Sequence, residues 1–172
     1  CKELILRKSE YASEEIESIY FGGGTPTVLE VSELEVILQT VYEHYKVSDT
    51  PEITLEANPD DLDEEKIKAL SNTKISRLSI GIQSFHESDL LAMNRAHNAD
   101  EAKKCLEIAT TYFDNITIDL MFGMPTMSVE QWRQNLQTAF GFGIKHLSCY
   151  ALTVEPQTAL EHFIKKGSHP PM

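Results

Sequence analysis

Residues 52–58, Glu-Ile-Thr-Leu-Glu-Ala-Asn, alternate strictly: Ile53, Leu55 and Ala57 fall on one side of an extended chain, and Thr54, Glu56 and Asn58 on the other. A strand covered on both faces reads as an unbroken apolar run, so this one packs a core with one face only. Residues 77–84 (RLSIGIQS) repeat the pattern, setting Leu78, Ile80 and Ile82 against Ser79, Gly81 and Gln83. Residues 115–122 (NITIDLMF) repeat it again, with Ile116, Ile118 and Leu120 opposed to Thr117, Asp119 and then Gly123.

Helical patterns separate these strands. Residues 18–21 form an apolar strand that runs into Gly22-Gly23-Gly24-Thr25-Pro26. Ser32 and Glu35 have the spacing of a capping box, and Leu34, Ile37, Leu38, Val41 and Tyr45 share a face of the helix they start. Pro51 ends the turn before 52–58, Pro59 closes that strand, and a helix covers about 63–70. A short segment with Leu90, Leu91 and Met93 follows the third strand; Asn98 and Glu101 then cap a helix burying Ala102, Cys105, Leu106, Ala109 and Phe113. The fourth strand ends in Gly123-Met124-Pro125, and Ser128 with Gln131 caps a helix carrying Trp132, Leu136, Ala139 and Phe140. Residues 146–152 (HLSCYAL) make a fifth strand, and a last helix with Leu160, Phe163 and Ile164 stops at Gly167. This recurrence, near the ~30 residues of a βαβ unit, predicts an α/β fold with a parallel sheet. A closed eight-stranded barrel fills its interior with Val, Ile and Leu. The small, polar inner face here predicts an open barrel that holds something polar.

With 172 residues, 41% of them hydrophobic, the chain can bury a real core. No apolar run is long enough to span a membrane and no signal peptide is visible, so a cytoplasmic location is expected. The net charge of −12 argues against nucleic acid or an anionic membrane as partner. Cys1, Cys105 and Cys149 are too far apart for a zinc or disulfide pattern; two of the three are expected to be buried thiols, and no metal site is expected. The chain opens on Cys1 and stops at Met172, and both ends read as cut, so a longer protein is expected.

Parallel barrels place their sites at the carboxyl ends of the strands. Residues 22–25, Glu56 with Asn58, Gln83 with Ser84, Asp119, and Tyr150 with Ala151 all lie there. The glycines are neither GxGxxG nor a P-loop; they serve either a tight turn or close approach of a ligand to backbone N–H and C=O groups. Glu56 and Asp119 interrupt apolar strands, where a carboxylate needs a neighbouring partner or a ligand, and with Gln83 they suit an amine or ribose hydroxyls. Arg95 reads either as a surface residue or as a clamp for a carboxylate. His97 and His146 fall near the site, but hydrogen-bonded or exposed histidines account for them; Trp132 and the methionines read as packing.

Six ordered segments, FGGGTPT, LEANP, RLSIGIQSF, NRAHN, DLMFGMP and SCYALTVEP, resemble the oxygen-independent coproporphyrinogen III oxidase-like family of radical S-adenosylmethionine (SAM) proteins, in particular its heme chaperone branch. The resemblance spans nearly the whole chain. It implies a partial parallel (β/α)6 TIM-like barrel, of which five β/α units are present in 1–172. It also implies that Gly23, Gly24 and Thr25 bind the methionine end of S-adenosylmethionine, that Arg95 holds its carboxylate, that Glu56, Gln83 and Asp119 contact amino and ribose groups, and that Ala151 meets adenine through its backbone. The family's CxxxCxxC loop, which holds a 4Fe-4S cluster, is not in these residues; it is expected upstream of Cys1, and a further domain is expected after Met172.

The activity implied is that of an oxidase in porphyrin biosynthesis: the cluster, supplied by an electron donor, cleaves S-adenosylmethionine to a 5′-deoxyadenosyl radical for oxidative decarboxylation of propionate side chains. The alternative is a heme chaperone that binds and delivers heme without that reaction, so the partner is a porphyrinogen or heme. A third reading, an ordinary α/β sugar- or nucleotide-binding enzyme, predicts no affinity for S-adenosylmethionine. Without a cluster segment the isolated chain is expected to be inactive.

Overall fold

The computed structural model describes residues 1–124, 127–154 and 156–167. Its centre is a five-stranded, wholly parallel sheet in sequential order: β1 (Glu15–Phe21), β2 (Lys46–Ala57), β3 (Arg77–Gln83), β4 (Ile116–Phe122) and β5 (His146–Ala151). The sheet curls into a partial barrel. After α1 (Lys2–Arg7), the crossovers are α2 (Val31–His44), α3 (Glu64–Ser71), α4 (Glu87–Ala92) with α5 (Ala99–Tyr112), and α6 (Val129–Gly141); α7 (Ala159–Lys165) follows β5.

The period-2 pattern resolves as expected. Ile53, Leu55, Leu78, Ile80, Ile82, Ile118 and Leu120 are all buried, and they form one core with Leu34 and Leu38 of α2, Ile67 and Leu70 of α3, and Leu106 of α5. Asn98 and Ser128 cap α5 and α6 through reciprocal bonds with Glu101 and Gln131. Gly167 takes φ +72° just past α7.

Several details differ from the sequence reading. The box that starts α2 is Glu30 with Glu33, so Ser32 lies inside the first turn, and Tyr45 is beyond the helix, its hydroxyl donating to Leu4 O at 2.7 Å. Pro51 belongs to β2: the β1–β2 register skips between Ile16 and Ser18, and Pro51 sits in that irregular stretch, where a missing N–H breaks no ladder bond. β1 begins at Glu15. Phe140 and Phe163 are exposed, while Trp132 packs partly buried on Phe122, with ring centroids 5.4 Å apart. Of the cysteines only Cys105 is buried; Cys149 is exposed on β5. Burial pushes the Cys105 thiol up to about 12. Pro125 and the side chain of Leu160 lie outside the described residues. Among the described residues no helix is long and apolar enough to cross a membrane.

The barrel has a polar floor. At the amino ends of the strands Arg77 donates to Glu52 at 2.8 Å, to Thr117 at 3.0 and 2.6 Å, and to Nδ1 of His146 at 2.8 Å. Arg77 holds the Glu52 carboxyl below the usual carboxylate range through this bond. His146 is therefore a hydrogen-bonded histidine of the floor, at the opposite end of its strand from the site it was expected to lie near.

Candidate functional site

At the carboxyl ends of the strands the inner-face side chains converge. Glu56 accepts from Tyr20 Oη at 2.7 Å and from the Gly23 N–H at 3.2 Å, which ties β2 to the glycine loop. A Cβ on Gly22 would stand 2.7 Å from the Tyr20 ring and 3.1 Å from the Glu56 carboxyl carbon, so a side chain there would displace this pair. Gly23 and Gly24 adopt φ +81° and +76°, which a side chain would strain, and the space beside both is open. Thr27 anchors the far end of the loop: its buried hydroxyl donates to Asp61 at 3.1 Å, and Lys66 Nζ bonds its carbonyl.

A second group gathers above Gly81. A Cβ there would meet Gln83 Nε2 at 3.1 Å, Asn58 Oδ1 at 3.3 Å and an Arg95 terminal nitrogen at 3.4 Å. Arg95 Nη2 donates to Asn58 Oδ1 at 2.8 Å and to Gly81 O at 3.2 Å, and Asn58 Nδ2 donates to Thr25 Oγ1 at 3.3 Å. Gln83 is one of the few non-glycine residues with positive φ, at +67°, the kind of backbone strain that surrounding structure must hold in place.

Asp119 completes the inner face from β4. Burial pushes its carboxyl above the ordinary Asp range; a hydrogen bond from Ser148 on β5 opposes this, and the charge of Glu56 adds to it. Tyr20 is shifted upward as well, by burial first and then by its bond to Glu56. Because the folded state disfavours ionised Asp119, this group costs stability above its folded titration range, and that cost vanishes as pH falls through it. Asp119→Asn is therefore expected to be the more stable protein at neutral pH, with the difference shrinking toward zero on acidification. Urea unfolding of both proteins across a pH series measures this; a constant difference would refute it.

The structure thus joins Gly23, Thr25, Glu56, Gln83, Arg95 and Asp119 around one concave face. Gly24 continues the loop, and Ala151 lies exposed at the end of β5, paired with Phe122. Ser84 turns away into the core, donating to Asp89 at 2.7 Å. His97 is buried, Nε2 on Ile82 O at 3.1 Å and Nδ1 3.6 Å from Asp60. Tyr20, Asn58 and Ser148 are the contacts that the sequence reading left without roles. Strand parity was the available signal for Tyr20, since Ile19 and Phe21 flank it on the apolar side.

The description "Radical SAM superfamily" matches residues 2–139. This chain belongs to the radical SAM superfamily. It is 34% identical over 168 residues to the heme chaperone HemW of Bacillus subtilis, covering 96% of this chain and 44% of that protein. It is 35% identical over 158 residues to the mouse protein named radical S-adenosyl methionine domain-containing protein 1, mitochondrial, covering 91% of this chain and 36% of that one. The structure of Escherichia coli coproporphyrinogen III oxidase (HemN), described as a radical SAM enzyme, superposes with TM-score 0.85 at 24% identity, over 99% of this chain and 40% of that one. The chain therefore spans less than half the length of these relatives, and the last likeness concerns the fold.

The inner face of this radical SAM barrel fits S-adenosylmethionine on its own chemistry. Open, positive-φ glycines leave room for a backbone-bound ligand, two carboxylates are available to cationic or hydroxyl groups, and a half-buried arginine is available to a carboxylate. A 4Fe-4S cluster does not fit: Cys1, Cys105 and Cys149 are dispersed, and no metal-holding cluster exists among the described residues.

Proposed function

We propose that this radical SAM chain is the S-adenosylmethionine-binding core of a protein that binds and delivers heme, rather than of a coproporphyrinogen oxidase. The supporting observation is the pattern of likeness. At 34% identity the relative carries the name heme chaperone, whereas the oxidase is similar at 24% and through its fold. The oxidase expectation accordingly gives way to its alternative.

In this reading Gly23, Gly24 and Thr25 cradle the methionine end, Arg95 pairs with its carboxylate, and Glu56, Gln83 and Asp119 take amino and ribose groups. Ala151 offers its backbone to adenine. Bound S-adenosylmethionine would supply radical chemistry, and a 4Fe-4S cluster is not held by the described residues. The residues here bind, orient and exclude water. A cytoplasmic location belongs to the same reading.

The test uses the complete, cluster-loaded gene product given heme and, separately, coproporphyrinogen III. Heme is expected to co-elute on gel filtration with a protein-bound Soret band, and no protoporphyrinogen is expected to form. Turnover of coproporphyrinogen without retained heme would restore the oxidase.

A further inference from the structure

Asn58 stands where an asparagine ordinarily caps: it is the N-cap of the short 3-10 turn Pro59–Asp61. Its side chain makes no capping bond there, and its backbone, at φ −105° and ψ 149°, is extended geometry open to any residue. The turn is held by backbone, Asp61 N–H donating to Asn58 O at 3.1 Å. Local structure therefore does not account for the amide. Both of its polar ends point into the site instead, the nitrogen donating to Thr25 and the oxygen accepting from Arg95.

We infer that Asn58 is a specificity-determining residue: it fixes Arg95 in place through a neutral acceptor, so that the guanidinium keeps its charge for the carboxylate of the ligand. This inference rests on the S-adenosylmethionine reading of the site. Arg95 spends one terminal nitrogen on two neutral oxygens, Asn58 Oδ1 and Gly81 O. Among the described residues its Nε and Nη1 have no hydrogen-bond partner, which leaves their N–H groups and the positive charge for an incoming carboxylate. An aspartate at 58 would have nearly the same shape but would pair with Arg95 itself. It would also lose the donation to Thr25 and set a third carboxylate beside Glu56 and Asp119.

The inference separates from a packing role by the order of two variants. Titration calorimetry of the complete gene product with S-adenosylhomocysteine, which has a carboxylate, is compared with 5′-methylthioadenosine, which has none. Asn58→Asp is expected to weaken S-adenosylhomocysteine about 30-fold and Asn58→Ala about 5-fold. Both variants are expected to bind 5′-methylthioadenosine within about 2-fold of wild type. If Asn58→Asp binds S-adenosylhomocysteine as well as or better than Asn58→Ala, as shape alone would dictate, the inference is overturned. Parallel loss of both ligands in both variants, a folding defect seen by circular dichroism included, overturns it too. Wild-type protein that binds neither ligand removes the S-adenosylmethionine reading, and this inference with it.

Discussion

Full-length protein carrying Glu56→Ala is expected to bind S-adenosylmethionine about 100-fold more weakly than wild type. Glu56 does two things at once. Its carboxylate accepts from Tyr20 and from the Gly23 N–H, so it sets the conformation of the glycine loop, and it faces the cationic part of the proposed ligand. Truncation removes the charge and leaves Gly23, held at φ +81°, without its tether. Glu56→Gln, which keeps an acceptor oxygen but not the charge, should fall between, near 10-fold. Trp132→Ala is the control: its ring packs on Phe122 on the helix side of the sheet, so its loss should lower the unfolding midpoint while ligand affinity of the folded protein stays close to wild type. Equal affinity in Glu56→Ala, Asp119→Ala and Trp132→Ala, measured by calorimetry, would sink the site assignment.

What could be read beforehand follows from which interactions are periodic. The alternation in 52–58, 77–84 and 115–122 reports a physical two-faced sheet, and every residue assigned to its apolar face on those strands is buried. Boundaries were less legible because two capping pairs compete at the start of α2: Ser32 with Glu35 and Glu30 with Glu33 have the same spacing, and only the path of the chain out of the glycine loop selects the second. Pro51 read as a terminator because a sequence does not show that β2 is bulged there against β1. His146 reads as a hydrogen-bonded or exposed histidine near the site; its bonds to Arg77 and Thr117 exist, but at the floor, because it opens β5. Among the candidate side chains, Glu56 and Asp119 stand out as carboxylates in apolar strands and Gln83 shares their face, whereas Arg95 reads either as a surface residue or as a clamp. Asn58 falls at the same strand ends beside Glu56, but position alone names no partner for its amide.

Asn135 shows the same limit from within the core, and it carries the largest expected effect on stability. It lies on α6 with no exposure, and the sequence reading left it without a place. Its Oδ1 accepts from Phe85 N–H at 2.8 Å and its Nδ2 donates to Ser84 Oγ at 3.1 Å. Ser84 in turn donates to the fully buried Asp89 and accepts from the His86 N–H at 3.1 Å. These bonds pin the chain immediately after Gln83, whose φ of +67° the local sequence does not favour. Asn135→Leu keeps the branched outline but is bulkier and strands the buried Phe85 N–H, which together should destabilise the fold by about 3 kcal/mol. In protein that remains folded, Ser84 and Phe85 are no longer held, Gln83 relaxes toward negative φ, and its carboxamide leaves the group above Gly81. Affinity for S-adenosylmethionine should then fall together with stability, by about 10-fold. Gln83→Gly separates the two effects, because glycine accepts positive φ without strain: it should lose the affinity yet keep or raise the urea midpoint. An Asn135→Leu protein as stable as wild type would mean that the buried network, and not only Gln83, has been misassigned.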